Sequence, residues 1–292
     1  MGRISRSFQL LQASRQVFTI NPSLVWYPFV ALASFLSTLI LVIAPLSAGG
    51  AYLAYRLGYL TEANAESFFD SPYLAIVGVL FVFALQLVTI FVNTAFYIAA
   101  EAALNGEKMR MRLAFSKAWT HRKRLAQWAI VGTLVGVILN IIHEKAGWAG
   151  KFISIIGNIA WTMATIFIIP TLVTHDMGPI DSLKHSAGLF KRTWGENVVA
   201  QFSLGLISLF AVLAIILFPG AILMILVAGA PIVTWMIVTE VLIKLSLLFA
   251  LIAYTSSLQI IFNAALYRYA ETGDYIGPFS QEMISGAYHP KK

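Results

Sequence analysis

Residues 73–104 read YLAIVGVLFVFALQLVTIFVNTAFYIAAEAAL, an apolar run in which Glu101 is the one charged side chain. A hydrocarbon layer of ~30 Å is crossed by ~20 helical residues, so the run predicts a membrane-spanning helix. Further runs of spanning length cover about 24–46, 125–143, 152–175, 198–229 and 245–268. The expected fold class is therefore all-α: a polytopic transmembrane bundle of six spans, forming one integral membrane domain over residues 1–292. The run at 198–229 exceeds one crossing and is interrupted by Pro219-Gly220, which fits a kinked, tilted helix or a span followed by a re-entrant piece. The first run is too long for a signal-peptide core, although Ala44 to Ala48 resembles a cleavage region, and is read as a retained anchor.

Composition agrees. Hydrophobic residues make up 59% of the chain and charged residues only 11%, against roughly a quarter charged in soluble domains, so a soluble core could not hide this much apolar surface. The absence of cysteine excludes disulfides, thiolate metal sites and cysteine nucleophiles.

The net charge of +7 points to a membrane surface rather than to nucleic acid once its distribution is read. Segments 1–23, 105–124, 176–197 and 268–292 hold 3, 7, 3 and 3 lysines plus arginines, or 16 of 20. Only Arg56, Lys145, Lys151 and Lys244 lie in the alternate segments. Basic loops are retained inside, which places that side, with both termini, in the cytoplasm.

Three cytoplasmic segments carry amphipathic patterns. Residues 1–23 interleave Arg3, Arg6 and Arg15 with Ile4, Phe8, Leu11 and Phe18. Residues of about 110–125 set Leu113, Phe115 and Trp119 among Lys117, Arg122, Lys123 and Arg124, and residues of about 179–194 open on Pro179 and carry Leu183, Leu189, Phe190 and Trp194. Each predicts a helix lying at the membrane interface, and the cluster of Lys117, Arg122, Lys123 and Arg124 is a candidate contact for anionic lipid.

Two stretches repeat. Asn93-Thr94-Ala95-Phe96-Tyr97-Ile98-Ala99-Ala100-Glu101 and Asn263-Ala264-Ala265-Leu266-Tyr267-Arg268-Tyr269-Ala270-Glu271 agree at five of nine positions, each near the inward end of a span. Phe115 to Trp119 and Phe190 to Trp194 share a basic residue two before the tryptophan. Internal repeats occur in transporters and also in duplicated hairpins.

These residues also resemble a known family. Ile4-Ser5-Arg6-Ser7-Phe8, Asn21-Pro22 before Leu24 to Pro28, Phe91 to Ala95, Gly178-Pro179-Ile180-Asp181 with Lys191-Arg192-Thr193-Trp194-Gly195-Glu196, and Ala264 to Gly273 resemble bacterial inner-membrane proteins catalogued as a domain of unknown function. The chain is also distantly similar to the membrane domain of some glycerophosphoryl diester phosphodiesterases, without their soluble domain. The resemblance implies a six-helix bundle in a bacterial cytoplasmic membrane and carries over no catalytic residue.

Intramembrane polar groups are the candidate sites. Asn93 and Asn263 either line a shared cavity or, as the simpler expectation, hydrogen-bond a neighbouring helix; Gln86, Asn140, Asn158, Gln201 and Gln259 are expected to do the latter. Glu101 and Glu271, at the cytoplasmic mouths of their spans, either attract cations or anchor the interface. Glu240 and Lys244 are spaced to pair on one helix face, and an interfacial structural pair is the expectation. His175, Asp176, Asp181 and His185 contain metal-ligating types, but Pro179 divides them and no metalloprotease spacing appears, so a solvated loop is expected and no metal or cofactor. Gly132 and Gly136 form a small-xxx-small motif suited to packing within the bundle. Trp26, Tyr27, Trp148 and Trp161 are read as interfacial belt or bundle core.

No phosphate loop, nucleophile elbow or dinucleotide fingerprint is present, so enzymatic activity is not expected. The leading expectation is a non-enzymatic protein engaging membrane lipid, a protein partner or its own copies through its basic face. The rival is a small-solute channel or transporter lined by the two asparagines.

Overall fold

The computed structural model describes residues 12–56 except 14, residue 58, residues 72–193 except 146, residues 209 and 211–215, and residues 230–279. Nearly all of the expected span at 198–229, with Pro219-Gly220 and Gln201, lies outside these residues, as do Trp194 and the first eleven residues with Arg3 and Arg6.

Among the described residues every regular element is helical. Residues 15–20 are helical and meet Asn21, after which a 3-10 turn, Pro22–Trp26, leads into α1, Tyr27–Thr38. A π-turn, Leu39–Ile43, joins α1 to α2, Ala44–Arg56. Its cause is Pro45, which offers no N–H to the Leu41 carbonyl and crowds the preceding turn, so the helix widens there instead of breaking. The first apolar helix consequently runs on well past residue 46, where the sequence pattern had placed its end.

The apolar helix α3, Pro72–Leu104, is the axis of the bundle. It ends in a Schellman turn: Gly106, at φ 81°, donates its N–H to the Ala103 carbonyl and Glu107 to that of Ala102. A short helix α4, Met111–Thr120, follows, then α5, Arg122–Lys145, and α6, Gly147–Ala164, as an antiparallel hairpin. The hairpin closes tightly because Gly157 of α6 lies against Leu139 of α5, where a Cβ would sit 2.7 Å from a leucine methyl.

The apolar run expected as one span at 152–175 is broken. After α6 the chain turns at residues 165–167 and resumes as α7, Ile168–Thr174. Pro170 explains the turn, since its ring cannot stack on the Ile166 carbonyl of a continuous helix. The backbone groups freed by the break are taken up by α8, Pro179–Arg192: Ser186 accepts a hydrogen bond from the Phe167 N–H at 3.1 Å and donates to the Ala164 carbonyl at 2.7 Å. The last helix, α9, Ala230–Thr272, begins before the expected boundary at residue 245 and carries Glu240 and Lys244 within it.

Five of these helical stretches are long and apolar enough to cross a membrane: Pro22–Tyr52, Leu74–Leu104, Arg122–Lys145, Gly147–Thr174 and Val238–Thr272. Among the described residues the main buried core lies at one end of the bundle. There Ala95, Ala99, Ala100 and Ala103 of α3 and Ala265 of α9 are fully buried beside Tyr27, Phe167 and Leu189. Elsewhere large apolar side chains such as Leu41, Ile76, Leu134, Phe152 and Leu242 face outward.

Replacing Ser186 with alanine leaves the buried Phe167 N–H without its acceptor and is expected to destabilise the fold by about 1–3 kcal/mol. Equilibrium unfolding of the purified protein in micelles checks this, and an unchanged midpoint would contradict the role assigned to Ser186.

Candidate functional site

The end of the bundle that holds the core also gathers the basic segments. Asn21 donates to the Met109 carbonyl at 3.0 Å, tying the segment that follows Arg15 to the loop before α4. Arg124, at the start of α5, donates through Nη1 to the Leu172 carbonyl at 2.9 Å and to that of His175. His175 and His185 in turn reach Glu271 near the end of α9. Segments distant in sequence are thus laced together at one end, whereas Lys145 and Lys151 flank the opposite hairpin.

The two repeated stretches meet. Asn93 and Asn263 line one cleft of about 470 Å³ between α1, α3 and α9, together with Tyr27, Phe35, Phe96 and Ser256. Asn93 also borders a smaller cavity of about 140 Å³ with Gln86, Trp128 and Trp161. Corresponding residues share a burial pattern, with Ala95 and Ala265 at 0% exposure and Tyr97 and Tyr267 both at 3%. Glu101 is hydrogen-bonded by the Tyr97 hydroxyl and has Arg268 of α9 and Lys117 of α4 as cationic neighbours.

Glu271 has different company. His175 Nε2 lies 3.2 Å from its Oε1 and His185 Nε2 lies 3.0 Å from its Oε2, with the two imidazole rings 4.8 Å apart. All three side chains are about a quarter exposed. Beside them the Thr174 and Tyr267 hydroxyls are hydrogen-bonded at 2.7 Å, fixing the end of α7 to α9. The sequence grouping of His175, Asp176, Asp181 and His185 is therefore corrected in its membership. Asp176 is fully exposed and 3.7 Å from Arg124, and Asp181 pairs with Lys184 at 3.4 Å on the outer surface of α8. Their carboxylates take no part, and Glu271 replaces them. No local spacing signals this, because Glu271 lies 86 residues beyond His185.

The four basic candidates divide into two groups. Lys117, Arg122 and Lys123 are exposed, and Arg122 sits 5.6 Å over the ring of Trp119, itself 59% exposed beside exposed Leu113. On its other face α4 buries Ala114 and Ala118 against the bundle. Arg124 instead caps carbonyls at the end of α7, with its side chain only 24% exposed. At the junction of α4 and α5, burial and then the charge of Arg124 hold the His121 imidazole below its ordinary value.

Other candidates prove local. Asn140 bonds Glu144 at 2.9 Å and Asn158 bonds the Ser154 carbonyl at 2.8 Å, each within its own helix and not across to a neighbour. Glu240 and Lys244 form an i,i+4 pair at 2.6 Å. Gly132 packs inside the bundle, where a Cβ would meet Gln86 at 2.9 Å, whereas Gly136 faces open space. Of the aromatic group, Tyr27 is buried and Trp161 stacks on Trp128 at 5.4 Å, while Trp26 and Trp148 are exposed.

Loss of Arg124 removes a charged donor from two carbonyls at a helix end. Arg124→Ala is expected to cost about 1.5–3 kcal/mol, and Lys123→Ala, on the exposed face, under about 0.5 kcal/mol. Unfolding midpoints of the two variants check the difference.

No curated protein and no solved structure matches the chain. A family description, "Family of unknown function (DUF6159)", matches residues 73–277, from the start of α3 through α9 and the turn beyond it. The match takes in both asparagines, both glutamates, the histidine pair and the basic cluster, and leaves α1 and α2 outside. The chain belongs to this family of unknown function.

Proposed function

We propose that the chain is a six-span protein of the bacterial cytoplasmic membrane, with both termini inside, that engages anionic lipid through its basic face without enzymatic activity. The observation that carries this reading is the physical gathering of the segments holding Arg15, Lys108 to Arg124, Lys184 and Arg268 at one end of the bundle. An odd number of crossings would scatter those segments over both surfaces. The sixth crossing is assigned to residues 198–229 on their hydropathy.

Within this arrangement α4 rests on the bundle through its alanines and turns Leu113, Lys117 and Trp119 outward, beside the exposed Arg122 and Lys123 at the start of α5. Such an edge suits the head-group layer, where an indole is amphipathically placed and cations meet lipid phosphate. The axial position of Glu240 and Lys244 fits as well. They stand about 46 and about 40 Å along α9 from Glu271, beyond a hydrocarbon core of about 30 Å, and so pair in the opposite interface.

The absence of cysteine makes topology directly testable. Single cysteines at positions 117 and 148 are expected to label from opposite sides of the membrane, position 117 from the cytoplasm; external labelling of position 117 refutes the arrangement. In nanodiscs, the full chain is expected to recruit fluorescent anionic lipid over zwitterionic lipid. Replacing Lys117, Arg122 and Lys123 with glutamine should weaken that preference by up to about 1 kcal/mol per cation, as should raised salt. Equal recruitment by parent and triple variant defeats the lipid reading.

A second reading draws on the cleft shared by Asn93 and Asn263: a path for a small polar solute. Solute flux into reconstituted vesicles, abolished by the Asn93→Ala and Asn263→Ala double variant, would favour it, and flux indifferent to that change would exclude the asparagines from any path.

A further inference from the structure

We infer that His175, His185 and Glu271 form a binding site for a divalent transition-metal ion of the zinc class. Two imidazoles and a carboxylate converge from three separate elements, the end of α7, the second turn of α8 and the end of α9, with ligand atoms all within 4.8 Å of one another. Ligands held 2.0–2.1 Å from a tetrahedral zinc ion stand about 3.3 Å apart, close to the 3.2 and 3.0 Å between each Nε2 and the Glu271 oxygens. The set as a whole spans no more than 4.8 Å, so side-chain rotation closes it around an ion.

The donor chemistry selects the ion. Two nitrogens among three donors disfavour calcium and magnesium, which take oxygen shells, and suit zinc and its first-row neighbours. Three protein donors leave one tetrahedral position for water, which the quarter exposure of the side chains supplies.

The backbones that carry these ligands are already fixed. Arg124 holds the His175 carbonyl, and the hydrogen bond between Thr174 and Tyr267 clamps the residue before His175 to the helical turn preceding Glu271. Of the cations on these elements, Arg124 is committed to two carbonyls and to Asp176, Lys184 pairs with Asp181, and Arg268 is a neighbour of Glu101. An ion here joins α8 to α9 and so locks the surface helix whose Ser186 seals the break after α6.

The test uses the full chain, purified in detergent with a tag free of histidine and stripped with a chelator. Zinc alone is titrated, and cobalt serves as the spectroscopic probe. One zinc per chain is expected, with the visible band of tetrahedral, nitrogen-ligated cobalt and a zinc-dependent rise in thermal midpoint. His185→Ala and Glu271→Gln should each weaken zinc binding at least about 100-fold and abolish the rise in midpoint. His143→Ala, at the opposite end of the bundle beside Ser154, should leave both intact. Substoichiometric uptake, the absence of the cobalt band in the parent protein, or binding unchanged in folded His185→Ala and Glu271→Gln overturns the site. The cobalt spectrum of the parent decides the matter even where a variant does not fold.

Discussion

The close approach of α3 and α9 at their alanine-rich ends is the contact on which the rest of this end of the molecule depends. Apolar side chains gain little from one another over lipid, so helices in a membrane associate where small residues let backbones come near. Ala95, Ala99, Ala100, Ala103 and Ala265, all at 0% exposure, supply that nearness. The two helices thereby bring Asn93 to Asn263 and Glu101 to Arg268, and α4, α7 and α8 assemble around the joined ends.

A second constraint shapes what surrounds that contact. Within hydrocarbon every backbone donor and acceptor needs a partner inside the protein. At two of the prolines in its apolar runs the chain meets the constraint in different ways. At Pro45 the helix widens into a π-turn and continues. At Pro170 it breaks, and the exposed backbone is served by a hydroxyl from another helix, Ser186. Because Ser186 lies on the same short helix as His185, the repair of the break also sets the position of the histidine.

Charge is partitioned by the same architecture. Arg124, drawn to the carbonyls at the end of α7, is a structural cation, while Lys117, Arg122 and Lys123, a few residues away, remain at the surface. Neighbours in sequence thus acquire separate tasks according to which face of a helix junction they leave from.

Hydropathy alone determined the all-helical character of this protein, the number of residues available for each crossing and the concentration of cations in alternate segments, because these follow from the cost of placing polar groups in hydrocarbon. Local spacing likewise determined the Glu240–Lys244 pair and the in-bundle packing of Gly132, which depend on one helix and its immediate neighbour. Only the tertiary structure decided that the run at 152–175 is two helices and that Arg124 is a cap. It alone decided that Glu271, rather than Asp176 or Asp181, completes the histidine pair. The physical reason is that carbonyl capping and ligand convergence are set by which helix ends are brought side by side, and a linear pattern of hydropathy and charge carries no term for contacts between residues 86 positions apart.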